Sequence, residues 1–372
     1  MKKICWLTPD YFIDCDIKII SELSVSFDIY WIVILPPNSR FKPHDFDDLN
    51  NTPNVTVNCF CSKRRERNPF KIFDYINICE SFKKEKPDVV YLNMSPSSPW
   101  QLPFLYYLKK NRTIVTAHQG RVHRGFKYSL FNRFLRYIYY TKFVNVNMFS
   151  KSQADLFRED YPKSCIYQFL LGLKDFGAPT NIRPLKGDIV FLSFGTINYG
   201  KSIETLIDAA CILHEKGIKG FRVSINGFCD NWSWYQNRIK YTEIFQTDIR
   251  MIDNSEIPNL FNGAHYLVQP YRIVTQSGPT KIAFQYNLPV ICSNLPGFTD
   301  EVVEGVNGFT FESENPQALA TTMQNLIERH DKFYSDFLNG MKIFIQEEYS
   351  EEKLLLQYKN MFTEVISKSI KQ

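Results

Sequence analysis

The chain has 372 residues, with 44 Lys+Arg, 39 Asp+Glu, 44% hydrophobic and 22% charged residues. This is the composition of a folded globular protein of about two domains, and it excludes a disordered chain. The formal net charge of +5 is uneven: residues 1–180 hold 26 basic and 17 acidic side chains, and the remainder hold 18 and 22.

In chain order, residues 3–7 read as a strand and 18–25 as a helix. Residues 29–35 (IYWIVIL) form an apolar, β-branched run of the length of a fully buried strand. A shorter strand at 55–59 and a helix at 69–84 follow. Then come strand 89–92, helix 100–110, strand 113–116, helix 125–140, strand 144–149 and helix 152–158. Around residues 177–187 the text becomes a joint rich in Pro, Gly and Asn. A second alternating set begins with strand 188–194, helix 202–215 and strand 221–225. It continues with helix 256–262, strand 266–269, a helix over 281–286 and strand 289–292. Helical patterns at 316–329, 331–344 and 351–370 end it. Strands alternating with helices predict α/β domains, each with a parallel sheet covered on both faces. The expected division is 1–178 and 183–345, with a last helix at 350–372.

The nine cysteines are scattered; only Cys59 and Cys61 are close, with no second pair to complete a zinc set. They read as small buried hydrophobes in a reducing compartment. The apolar run after Met1-Lys2-Lys3 stops at Pro9-Asp10, too early for a signal peptide. No apolar run is long enough for a membrane span, so a cytoplasmic location is expected.

No acidic residue falls between Asp88 and Asp155, a stretch carrying ten Lys and Arg. That points to an anionic partner for the first half. Residues 125–140 place Leu130, Phe131, Phe134, Leu135 and Ile138 on one helical stripe, with Arg133 and Arg136 away from it. Two readings stay open: a core-packed helix with a solvated basic face, or a helix adhering to an anionic membrane surface. Arg64, Arg65 and Arg67 would extend the patch. No nucleic-acid reader motif is present, so nucleic acid is not the expected partner.

Gly195-Thr-Ile-Asn-Tyr-Gly200-Lys201-Ser202 satisfies the P-loop pattern G-x-x-x-x-G-K-[ST] between a strand and a helix. Backbone N–H groups and the Lys201 ammonium would hold a phosphate there. A kinase or NTPase would also need a later acid for magnesium, and Asp253 is a weak choice. The second half as a whole carries more specific signals. Its opening turn and Lys201 resemble the G-x-x-x-x-K-G start of the C-terminal domain of glycosyltransferase family 4. Ser224-Ile-Asn-Gly227, Tyr271-Arg-Ile-Val-Thr-Gln-Ser-Gly278 and Asn287-Leu-Pro-Val-Ile-Cys-Ser293 are similar to further segments of that family. Gly297-Phe-Thr-Asp-Glu-Val-Val-Glu-Gly305-Val-Asn-Gly308 resembles its G-x-x-E-x-V-x-x-G-x-x-G signature.

The resemblance implies the GT-B architecture, two Rossmann-like doubly wound α/β domains facing across a cleft. It implies a retaining glycosyltransferase of hexosyltransferase type with no cofactor and no metal. The donor would be a nucleotide diphosphate sugar, held by Gly195, Thr196, Lys201, Gly227, Gln276, Ser277, Gly278 and Asp300 or Glu301. Lys201 would neutralise the departing diphosphate, and His118, after the strand at 113–116, would face the sugar. On the acceptor side stand Asp14, Asp16 and His123. The acceptor would be a glycan, lipid-linked, in bacterial surface polysaccharide (O-antigen or capsule) synthesis. The last helix would pack back on the first domain. The family's paired glutamates fall on Val274 and Ile282 here, so both carboxylates are missing. A nucleotide-sugar epimerase of the same fold, a non-catalytic glycan- or nucleotide-binding subunit and a P-loop NTPase are the alternatives. Asp14-Cys-Asp16 and Asp45-Phe-Asp47 are D-x-D tripeptides of the kind that can grip a hard cation.

Overall fold

The computed structural model describes residues 1–39, 41–64, 68–121, 129–184 and 187–370. The chain divides into two compact units: Met1–Leu171 with Glu351–Gln372, and Gly172–Ser350.

The first unit holds strands β1 (Lys2–Pro9), β2 (Phe27–Leu35), β3 (Val55–Cys61), β4 (Val89–Leu92), β5 (Thr113–Thr116), β6 (Asn145–Met148) and β7 (Cys165–Gln168). Its helices are α1 (Ile13–Leu23), α2 (Asp47–Asn50), α3 (Lys71–Glu85), α4 (Pro103–Tyr107), α5 (Ser129–Lys142) and α6 (Lys151–Asp160). The strands form one parallel sheet in the order β3-β2-β1-β4-β5-β6-β7. Strand β1 is central, and its alternate side chains go to opposite faces. Ile4 and Trp6 join α1 in one core, while Cys5 and Leu7 join α3, α4, α5 and α6 in the other. Burial on both faces explains why β1 and β2 read as continuous apolar runs.

The second unit holds β8 (Ile189–Phe194), β9 (Phe221–Asn226), β10 (Phe245–Asp248), β11 (Tyr266–Gln269), β12 (Val290–Ser293) and β13 (Gly308–Phe311). Its helices are α7 (Ile203–Glu215), α8 (Trp232–Gln236), α9 (Ile257–Asn262), α10 (Gly278–Gln285), α11 (Pro296–Thr299) and α12 (Pro316–Glu348). The sheet is again parallel, in the order β10-β9-β8-β11-β12-β13. The final helix, α13 (Glu351–Ile370), belongs to the first unit. Its Tyr358 and Phe362 rings lie 5.3 and 5.7 Å from Trp6, and Glu351 pairs with Lys18.

Both sheets have the doubly wound order, in which the strand sequence reverses beside the first strand. The reversal lies between β1 and β4 in one unit and between β8 and β11 in the other. Loops leaving those strands at their carboxyl ends are where such sheets place ligands.

Three details differ from the sequence reading. The helical patterns at 316–329 and 331–344 are one helix, α12, because no Pro or Gly interrupts 317–339. Strands β7, β10 and β13, absent from that reading, all lie at sheet edges, where a strand is short and only partly buried. The helix expected over 100–110 shrinks to α4, which starts at Pro103.

One buried histidine makes the second unit acid-sensitive. His265 Nδ1 accepts the Val190 N–H at 2.9 Å, and Nε2–H donates to the Pro184 carbonyl at 2.6 Å. Burial holds its pKa down, to about 4. An unfolded histidine titrates near 6.5, so the neutral ring's contribution is complete above about pH 6.5 and is lost as pH falls toward 4. The melting temperature is expected to fall across that window. His265→Gln should flatten the fall in scanning calorimetry, and an unchanged slope would reject the assignment.

Candidate functional site

The strongest convergence of predicted residues is at the carboxyl end of the second sheet, at its reversal point. Strand β8 is followed by Gly195, whose φ of 111° is open to glycine. The next turn leaving the sheet, after β9, carries Gly227 at φ 144°. A Cβ on Gly227 would overlap the Gly195 carbonyl, so these two turns touch backbone to backbone. Gly227→Ala combines that overlap with a disallowed backbone and should cost about 3 kcal/mol or more. Urea denaturation measures it; a loss below half of that would mean the two turns can separate freely.

The Gly195 turn also abuts the start of α10, with Pro279 Cγ 3.8 Å from where a Gly195 Cβ would stand. Further along, Tyr199–Lys201 forms a single 3-10 turn, and α7 begins at Ile203. Lys201 is half-buried and its Nζ sits 3.7 Å from the centre of the Tyr271 ring. Ser202 does not present the hydroxyl that a P-loop offers to magnesium. Its side chain is fully buried and bonded to Thr205 Oγ1 at 2.8 Å. That removes the kinase-like geometry from the P-loop match.

Loop 270–277, after β11, is tied to the same turn. The Arg272 guanidinium donates to the Tyr199 carbonyl at 2.7 Å and pairs with Glu204 at 2.7 Å and Glu314 at 2.8 Å. The N–H of Arg272 reaches the Gly200 carbonyl at 3.1 Å. Gln269, at the end of β11, donates from Nε2 to Tyr271 Oη at 3.0 Å and to Ser277 Oγ at 2.6 Å. Its Oε1 accepts from Thr280 Oγ1 at 2.5 Å. Gln269 therefore locks the ring under Lys201 to the first turn of α10.

Ser277 caps α10 by accepting the Thr280 N–H, and residue 279 is proline, which has no N–H. The Gly278 N–H is left to point outward from the helix start. The Lys174 side chain passes about 4 Å from where a Gly278 Cβ would stand. Gln276 Nε2 is buried without a hydrogen-bond partner among the described residues, a donor that a ligand would satisfy. Lys201, tied through Tyr271 and Gln269 to the first turn of α10, and the Gly278 N–H form a candidate anion-binding constellation, with the Gln276 donor beside it.

Glu301 is not in this constellation. Its carboxylate is buried and pairs with Lys281 at 2.6 Å. Lys281 Nζ also donates to Tyr349 Oη at 3.3 Å. The acid of the last signature is thus a strut between α10 and the segment after α11. Asp300 is half-buried and follows the C-terminal end of α11, so it does not cap that helix's N-terminus. Thr196 is exposed beside Gly195.

Residues 188–329 match the family described as glycosyl transferases group 1. The matched residues all lie in the second unit. No curated protein sequence matches the chain. Among solved structures, a glycosyltransferase from Rickettsia africae is 16% identical with a TM-score of 0.71, covering 98% of each chain. Sucrose-phosphate synthase from Thermosynechococcus elongatus is 15% identical with a TM-score of 0.73, covering 99% of this chain and 100% of its own. Anabaena HepE, solved in complex with UDP-glucose, is 13% identical with a TM-score of 0.69, covering 100% of both. At these identities the likeness is one of fold, and the fold is GT-B. In the second unit, Tyr271, Arg272, Gln269 and Lys174 are the residues around this candidate site that sequence reading missed. Only Tyr271 and Arg272 lay inside a quoted motif, and neither type of contact is visible in a pattern.

In the first unit, His118 leaves β5 and is stacked on Phe12, with Phe149 beside both rings. Its imidazole lies 4.5 Å from Phe12 and 6.0 Å from Phe149, centroid to centroid, at 13° and 22°. Its backbone N–H donates to Ser95 Oγ at 3.0 Å. Asp14 and Asp16 both lie on α1 but differ in placement. Asp14 is half-buried, whereas Asp16 is in the core and cannot touch an acceptor. The Asp16 carboxylate receives Trp6 Nε1 at 3.0 Å, Thr8 Oγ1 at 2.6 Å and Asn93 Nδ2 at 2.8 Å. Burial raises its pKa to about 7. Asn93 extends the network to Thr116 and Tyr91, joining the ends of β1, β4 and β5. Asp16 therefore anchors the reversal point of the first sheet. Asp45 and Asp47 lie apart from it, with Asp45 accepting the Lys42 N–H at 2.7 Å.

The stripe expected on α5 is split between solvent and core, with Ile138 half-buried. Leu130, Phe131, Phe134 and Tyr137 are exposed, and Leu135, Tyr139 and Tyr140 go inward. Arg136 goes inward with them, so it is no part of a solvated basic face. Arg64 pairs with Asp74. His123, Arg124, Lys127 and the first residues of the helix expected over 125–140 lie outside the described residues, as do Arg65 and Arg67.

Proposed function

We propose that the protein is a retaining glycosyltransferase that moves a hexose-type unit from a nucleotide diphosphate sugar to a hydroxyl acceptor. The observation that carries this reading is the candidate constellation of Lys201 and the Gly278 N–H, inside the segment that matches group 1 glycosyl transferases. A diphosphate leaving group gains one negative charge as its bond to the sugar breaks. Fixed cations and a helix N-terminus stabilise that charge without a metal ion. Gln276 offers a donor to the sugar or its phosphate. Anabaena HepE is solved with UDP-glucose and Staphylococcus aureus TarM with UDP, which supports a nucleotide-sugar donor for this fold.

The first unit would supply the acceptor side, with His118 facing the reacting sugar and Asp14 near it. The acceptor in this reading is a lipid-linked glycan of bacterial surface polysaccharide synthesis, met at the cytoplasmic membrane. Exposed Leu130, Phe131, Phe134 and Tyr137 beside the exposed Arg133 support contact with an anionic lipid surface. Among the described residues no helix is long and apolar enough to cross a membrane. The missing paired glutamates argue against an epimerase, which would want several carboxylates at the sugar.

The test is a panel of nucleotide sugars incubated with lipid-linked and free glycan acceptors. Acceptor-dependent nucleotide release with retained anomeric configuration in the product supports the reading. Nucleotide-sugar binding without release on any acceptor would instead identify a binding subunit.

A further inference from the structure

The first unit contains an arginine whose burial the fold does not explain. Arg136 on α5 is 6% exposed. Its Nη2 donates to the Gln119 carbonyl at 2.5 Å and the Gly120 carbonyl at 3.2 Å, and its guanidinium lies 5.2 Å from the Tyr140 ring centre. No carboxylate pairs with it among the described residues. The sequence from 89 to 154 has no Asp or Glu, so its chain neighbours supply none. A buried cation with two carbonyls and no counterion is costly, and cations so placed are normally paired.

Arg136 lines a cavity of about 660 Å³ between α5 and α6. Arg133, one turn earlier on α5, lines the same cavity, is exposed, and has no carboxylate partner among the described residues. Arg121 and Asp160 also border it, but they neutralise each other at 3.0 Å, with Glu159 taking a second contact from Arg121 at 2.6 Å. The two unneutralised guanidiniums are left facing one space. Tyr137 and Tyr161 stand at its wall and Phe134 at its exposed rim.

We propose that this cavity binds a phosphate-class anion, a phosphate or diphosphate ester, through Arg133 and Arg136. Paired guanidiniums match the several oxygens of a phosphate better than a single carboxylate. The volume is that of a small-molecule site rather than a bare-ion site. The aromatic rim suits an ester whose other part is apolar. This anion site is separate from the donor constellation and does not depend on it.

The experiment uses the full chain carrying Lys201→Ala, so that binding at the donor constellation is weakened. Inorganic pyrophosphate is titrated by calorimetry, and phosphatidylcholine vesicles with and without phosphatidic acid are tested by flotation. At least one probe should bind, and Arg133→Glu should weaken it about tenfold with an unchanged melting temperature. Arg133 is exposed, so this variant folds. Lys110→Glu makes the same charge change elsewhere on the unit and should leave binding intact. Pyrophosphate binding supports a soluble phosphate ester as ligand, and binding only to phosphatidic-acid vesicles supports a lipid headgroup. Binding of neither probe, or equal loss in Arg133→Glu and Lys110→Glu, would overturn the site.

Discussion

Lys201→Ala should lower nucleotide release from the productive donor by between about tenfold and a thousandfold, a loss of about 1.4 to 4 kcal/mol of transition-state stabilisation. The lysine is positioned for this: its ammonium rests on the Tyr271 ring, and that ring is held by Gln269. A cation on an aromatic face contributes only about 0.5–1 kcal/mol to the fold, so the variant should melt near the parent. Steady-state kinetics separate the two effects. Because the charge matters most as the diphosphate departs, kcat should fall more than KM rises. Lys201→Arg, which keeps the charge, should retain more activity than Lys201→Ala. Equal activity in the alanine variant and the parent would remove Lys201 from the mechanism.

The largest effect on stability is expected at Lys281. Its ammonium and the Glu301 carboxylate are both buried and 2.6 Å apart. Lys281→Met leaves the Glu301 carboxylate alone in the core and should cost about 3–5 kcal/mol. Replacing both, as Lys281→Met with Glu301→Leu, should recover most of that loss, because a well-packed apolar pair needs no desolvation of charge. Urea denaturation of the parent, single and double variants gives the coupling energy directly. A single variant as stable as the parent would show that the pair is not formed in solution. Since α10 begins at Gly278, the double variant should keep its stability but show altered donor binding if the strut also sets that helix's position.

The identity of each site residue was more legible than its job. Gly195, Lys201 and Gly227 stand out in sequence because glycine turns between strands and helices are local features. The contacts that aim Lys201 are not local: Tyr271 is seventy residues away in sequence and reaches it only because β8 and β11 are neighbours in the sheet. Glu301 and Asp16 were read as ligand residues from their motifs. Both are acidic residues next to a functional loop, and sequence has no term for the direction in which a side chain points. The α5 stripe failed for a similar reason. Helical spacing says which residues share a face, but not which face the rest of the unit covers.

The text alone specifies two α/β units with parallel sheets, because buried strands and amphipathic helices impose their periods on it. It also determined the glycine turns and the resemblance of the second half to a transferase domain. The edge strands, too short and too exposed to carry a period, emerge only from the fold. So do the seat of Lys201 on the Tyr271 ring, the inward turn of Glu301 and Asp16, and the burial of Arg136 beside a cavity with no carboxylate partner among the described residues. Those outcomes depend on which segments become neighbours across a sheet, and pairing between distant strands leaves no mark on either strand alone.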